Sequence, residues 1–146
     1  MKVTALLMSL VLVFLFLPQT ATMRAQQKPE DLAQKSAEAW FVLTDAGKYA
    51  DSWDEASQFF KSKVTKDQWQ SALTSVRAPL GSVQSRKLKS AKYTKTLPGA
   101  PEGEYVILQY ETSFAKMDSA VETITPMLDK DGKWRVSGYY IKPASM

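Results

Sequence analysis

The hydrophobic repeat of this chain changes once, at Pro79-Leu80-Gly81, and that change constrains its fold more than any other feature. Before it, apolar residues recur every three or four positions; after it, they tend to recur at every second position. The first repeat lines one face of a helix and the second one face of a strand. Helices followed by a run of strands predict an α+β domain in which the helices cover one side of the sheet.

The helical half divides into three. Pro29 suits a first helical position, with Glu30 and Asp31 near the positive helix end. Leu32, Ser36, Ala39, Trp40, Leu43 and Ala46 then share a face, and Gly47 is a natural stop. A second helix is predicted over 48–60, with Tyr49, Trp53, Ala56 and Phe60 on one side; Ser52-x-x-Glu55 offers a cap for a shorter version. A third starts at Thr65, where Thr65-x-x-Gln68 forms a capping box. It runs through Trp69, Leu73, Val76 and Leu80 until Pro79 and Gly81 end it.

Segments 83–97, 104–115, 119–128 and 133–142 are rich in Val, Ile, Tyr, Thr and Trp and are separated by turn residues, Asp131-Gly132 being the strongest hairpin signal. Four strands with short connections pair most simply as an antiparallel meander. The shared core is expected at Trp40, Leu43, Trp69, Leu73, Val106, Leu108, Trp134 and Val136. In segment 119–128 two faces compete for the core, Val121/Thr123/Thr125 and Glu122/Ile124/Pro126. The second would bury Glu122 and demand a cationic partner such as Arg135 or Arg77.

Residues 1–25 read as a secretory signal peptide. Lys2 precedes a 13-residue apolar run, Ala5 to Leu17, which is ended by Pro18 and followed by small residues, with cleavage expected after Ala21 or Ala25. The run falls short of the roughly 20 residues needed to span a bilayer. Export to a periplasm or the cell exterior follows, and no stable membrane span remains after cleavage. Residues 26–146 then form one domain, large enough to hold a core without disulfides. The 19 Lys+Arg, less Lys2 and Arg24, leave 17 against 15 Asp+Glu, a net charge of +2 that does not suit a nucleic-acid binder.

The chain has neither histidine nor cysteine. Ser-His-Asp and Cys-His catalysis, covalent haem attachment and the usual zinc and copper sites are therefore excluded. No phosphate loop, dinucleotide fingerprint or calcium loop is present, and no cofactor is implied; Asp129-Lys130-Asp131-Gly132 lacks the later calcium ligands and reads as a turn. Arg86, Lys87, Lys89, Lys92 and Lys95 make the first strand basic. Two readings stand: an anionic partner, or an edge strand guarded by lysines, the second fitting charges that alternate between both faces. The candidate polar lining of a pocket between helices and sheet is Arg77, Glu122, Arg135 and Tyr139. Arg135 and Tyr139 share one face of a regular strand, and Glu122 lies on its neighbour within cross-strand reach of Arg135.

Ala39-Trp40, Asp45-Ala46-Gly47-Lys48-Tyr49, Ser52-Trp53, Arg77-Ala78-Pro79-Leu80-Gly81, the run Leu97 to Val106, Val121-Glu122-Thr123 and the run Gly132 to Tyr140 occur in that order. Together they resemble the bacterial exported family catalogued as domain of unknown function 4019, over roughly residues 30–142. The resemblance implies a bacterial envelope protein and brings no catalytic residues. The layout is also similar to the cone-shaped NTF2-like and cystatin-like folds, a likeness of architecture that says little of function. Two hypotheses follow. One is a non-enzymatic module binding a small molecule or an envelope protein. The other is an NTF2-like acid–base enzyme using a buried carboxylate and a tyrosine. An open pocket with converging polar groups favours the enzyme; a filled one points to surface interaction.

Overall fold

A computed structural model describes residues 27–144, so the expected signal peptide lies outside the described residues. Four helices, α1 (Pro29–Asp45), α2 (Tyr49–Asp54), α3 (Gln58–Lys63) and α4 (Lys66–Arg77), precede four strands, β1 (Val83–Thr94), β2 (Tyr105–Phe114), β3 (Met117–Leu128) and β4 (Trp134–Pro143). The strands form one antiparallel sheet in the order β1-β2-β3-β4, the expected meander. Among the described residues no helix is long and apolar enough to cross a membrane.

The helix expected over 48–60 is two helices. Ser57 takes an extended conformation, caps α3 by accepting from the Phe60 amide, and gives its own N–H to Val136 O at 2.9 Å. A continuous helix would bury that carbonyl without a donor. Ser52 does not act as a cap. It sits buried inside α2, donates to Tyr49 O and accepts from Trp69 Nε1 at 3.0 Å. The Thr65–Gln68 capping box forms as expected.

Two helix faces are turned slightly from expectation. In α1 the buried positions are Ala33, Ala37, Trp40, Phe41 and Thr44, so Leu43 is only half-buried. In α4 they are Trp69, Leu73 and Arg77, a strict four-residue step that points Val76 outward. Trp134 is likewise half-buried, whereas Trp40, Trp69, Leu73, Val106, Leu108 and Val136 are core. Aromatic rings dominate that core, with Phe60–Trp69 and Trp40–Tyr139 centroids 5.0 and 5.1 Å apart. Gly81, at φ 76°, turns the chain from α4 into β1, and a Cβ there would meet Ala115 Cβ at 3.1 Å. Only glycine satisfies both demands without strain.

Of the four register shifts in the sheet, two re-aim the side chains that matter below. Register shifts between Leu88 and Ser90 in β1, and between Thr125/Gly138 and Pro126/Val136 in the β3–β4 pairing. An extra residue on one strand reverses its alternation beyond that point.

Candidate functional site

The face of β3 that meets the helices carries Glu122, Ile124 and Pro126, and Glu122 is 0% exposed. Four donors surround its carboxylate. Arg86 Nε and Thr112 Oγ1 reach Oε1 at 2.7 and 2.6 Å. Arg86 Nη2 reaches Oε2 at 3.3 Å, and the Tyr139 hydroxyl also donates to Oε2. A carboxylate has about four lone-pair sites, so Glu122 is saturated. Arg77, 5% exposed at the end of α4, places Nη1 3.3 Å from Tyr139 Oη and 3.9 Å from Glu122 Oε2.

Asp45, the last residue of α1, joins both arginines. It accepts from Arg77 Nη2 at 2.8 Å and from Arg86 Nη1 and Nη2 at 2.7 and 3.0 Å. The two cations balance the two anions, which is the condition for burying such charge at tolerable cost. The Arg86 guanidinium also lies over the Phe41 ring, 3.7 Å from its centroid. The cluster thus ties α1, α4, β1, β2, β3 and β4 together.

Burial opposes ionisation of Asp45, but the hydrogen bonds from Arg86 and Arg77 outweigh it and hold its carboxyl below the usual range. Burial likewise opposes charge on Arg86, and the hydrogen bonds to Asp45 and Glu122 more than restore it, raising its pKa. Burial and the neighbouring Glu122 push the Tyr139 hydroxyl upward, so it stays protonated and donates.

Of the candidate residues, the structure brings Arg77, Glu122 and Tyr139 together and leaves Arg135 out. Glu122 faces Ile141 on β4, not Arg135, which lies opposite Met127. The irregularity at Ser137 explains the separation. Trp134 and Val136 enter the core, the extra residue reverses the alternation, and Tyr139 enters it too. Arg135 and Tyr139 therefore do not share a face. Sequence reasoning missed Asp45, Arg86 and Thr112. Arg86 was legible only in part: strict alternation puts it on the face of the inward Leu88, but it puts Lys92 there too; a helix-terminal Asp45 carries no signal of its own.

Arg135 belongs to the β3–β4 turn. It donates to Asp129 at 3.0 Å and to both oxygens of Asp131 at 2.9 Å. These bonds pull the exposed Asp131 carboxyl down to about 2. Asp129–Gly132 is the expected turn, closed by Asp129 N to Lys133 O at 2.9 Å. Two concavities flank this end. A groove of about 720 Å³ is lined by Phe59, Pro101, Met127 and Leu128 with Asp129 and Arg135 at its polar end. A second, of about 480 Å³, runs past Ala39, Leu43 and Trp134. Asp45 and Arg86 carry the interior cluster to the surface, where they border a shallow groove of about 200 Å³. Among the described residues, no group of three or more carboxylates is arranged to hold a metal ion.

No curated protein matches the chain. A family model described as "Protein of unknown function (DUF4019)" matches residues 36–139, a span that holds every member of the interior cluster from Asp45 to Tyr139. The chain belongs to the DUF4019 family.

Proposed function

We propose that this chain is an exported, non-enzymatic binding domain of the bacterial envelope, shaped as a cone of the NTF2-like or cystatin-like kind, whose ligand enters at the β3–β4 turn. One observation carries the reading: Glu122 is wholly buried and has all four acceptor sites filled by Arg86, Thr112 and Tyr139. A general base needs an oxygen within reach of the substrate proton. Glu122 has none to spare, and aromatic rings occupy the space around it. The groove beside Phe59, Met127 and Leu128 has the mixture typical of ligand sites, mostly apolar walls with a few polar groups at one end. Arg77, Glu122 and Tyr139 then serve as an internal clamp, and Arg135 as the polar end of the site. Export rests on residues 1–25.

Two measurements test this. Mass spectrometry of envelope fractions should find the chain cleaved between residues 20 and 26; intact protein in the cytoplasm would defeat the export reading. Titration of residues 26–146 with anilinonaphthalene sulfonate, followed by NMR, should shift Met127 and Leu128 methyl signals and leave Tyr139 unmoved. Shifts centred on Tyr139 would favour the acid–base enzyme instead, and no shifts at all would reject the groove.

A further inference from the structure

The sheet has a second face, opposite the helices, and β1 arranges its charge there in a way that simple alternation does not allow. With strict alternation Lys87 and Lys92 fall on opposite sides. The register shift between Leu88 and Ser90 changes this: Leu88 and Tyr93 both pack on the helix-side core, while Lys87 pairs with Glu111 and Lys92 with Ile107 on the other side. Lys89, the extra residue, also turns to that side and bonds Glu111 at 2.9 Å. On β4, Ile141 packs inward and Lys142 lies opposite Val121, outward. Four ammonium groups thus share one face, and across the register rows from Lys87 to Lys92 Glu111 is the single carboxylate among them. The domain as a whole is only slightly basic, so the charge is gathered, not merely abundant.

The floor between these lysines mixes apolar and hydrogen-bonding groups. Ile107 and Val121 lie there with Gln109, Thr123, Thr125 and Ser90, together with Gly138, where a Cβ would find nothing within 4 Å. Beside Gly138 stands Tyr140, 56% exposed. Lys87 and Lys142 are ends of one row that crosses all four strands, about 14 Å apart at ordinary strand spacing.

We propose that this helix-free sheet face binds an acidic polysaccharide, with Lys87, Lys89, Lys92 and Lys142 meeting its anionic groups and Tyr140 lying against a sugar ring. Charge complementarity selects a polyanion. The floor selects a hydroxyl-rich one: Gln, Ser and Thr side chains offer donors and acceptors to a polyol. A lipid surface would require apolar groups to insert, and Tyr140 is the one large apolar side chain exposed here. The site is separate from the groove at the β3–β4 turn and stands or falls without it.

The test uses residues 26–146 and polygalacturonate as probe, read by affinity electrophoresis with neutral dextran as control. Retardation by polygalacturonate alone is expected. The triple variant Lys87→Gln/Lys92→Gln/Lys142→Gln should weaken it roughly tenfold, and Tyr140→Ala severalfold. A control triple elsewhere, Lys35→Gln/Lys116→Gln/Lys130→Gln, changes the net charge equally and should leave binding within about twofold. All six lysines are exposed, so the fold is not at risk. Equal weakening by both triples would reduce the effect to net charge and overturn the proposal. So would absence of retardation, or preferential binding of phosphatidylglycerol vesicles or single-stranded DNA.

Discussion

Along β4, Tyr139 and Arg135 belong to two clusters of arginine and carboxylate that are built alike and do opposite things. Around Arg135, the buried Asp129 and the exposed Asp131 hold both terminal nitrogens of a guanidinium at the edge of a turn. Around Tyr139, Asp45 and Glu122 hold Arg77 and Arg86 in the interior, with Arg77 Nε left without a partner. Geometry barely separates them; solvent does. At the surface, water replaces a lost partner at little cost, and an ion pair contributes between zero and about 1 kcal/mol. In the interior nothing replaces it, so each member becomes indispensable once the others are present.

The sharpest way to break the comparison is to remove the interior anion. Glu122→Ala leaves Arg86 with Asp45 as its remaining carboxylate and strips the Thr112 and Tyr139 hydroxyls of their acceptor, and should cost about 3–5 kcal/mol in denaturant melts; a loss under about 1 kcal/mol would mean water already reaches the cluster. A double replacement tests the mechanism. Arg86→Met/Glu122→Leu removes charge from both sides, so it should be less destabilising than Glu122→Leu alone, because no guanidinium is then left facing the lost carboxylate. An additive or larger loss would show that specific hydrogen bonds, not charge balance, dominate.

Asp45 is intermediate, since its side chain is partly exposed. Asp45→Asn should cost about 1 kcal/mol at neutral pH. Its carboxyl has a lowered pKa in the folded state, so the stability it gives is present above its ordinary value of 3.8 and lost as pH falls through the folded value. The gap between wild type and Asp45→Asn should therefore close below pH 3.8; a gap constant down to pH 2 would contradict that linkage. Smallest of all is Asp131→Asn in the turn, where the thermal midpoint should move by no more than about 1 °C.

The same contrast explains what could be read from the sequence. Helix order, the meander, the Asp129–Gly132 turn and most of the core follow from local pattern, because apolar period and turn residues act over a few positions. Ser57 as a second helix start was hidden, since its purpose is the distant carbonyl of Val136. A regular strand puts Tyr139 on the face of Arg135, and nothing in Ser137-Gly138 announces an extra residue strongly enough to overturn that. Arg77 suits a helix end as a cation, but the step Trp69–Leu73–Arg77 also points it inward. Interior charge is selected by partners on other elements, and single-sequence periodicity is blind to them.

The cluster also sets the order in which the domain can mature. Its members are spread from Asp45 to Tyr139, and β4 also supplies Trp134 O to Ser36 Oγ, a bond between residues 98 positions apart. Contacts of such sequence separation form late, after the loop-closure entropy between them has been overcome. A chain emerging from a ribosome has Glu122 and Arg86 in hand before Tyr139 arrives, and until then the cluster lacks the last of its members. Maturation is therefore gated by the final strand. A nascent chain halted before Tyr139 should remain protease-sensitive however much helix it has formed, and a few further residues should convert it abruptly to a resistant state.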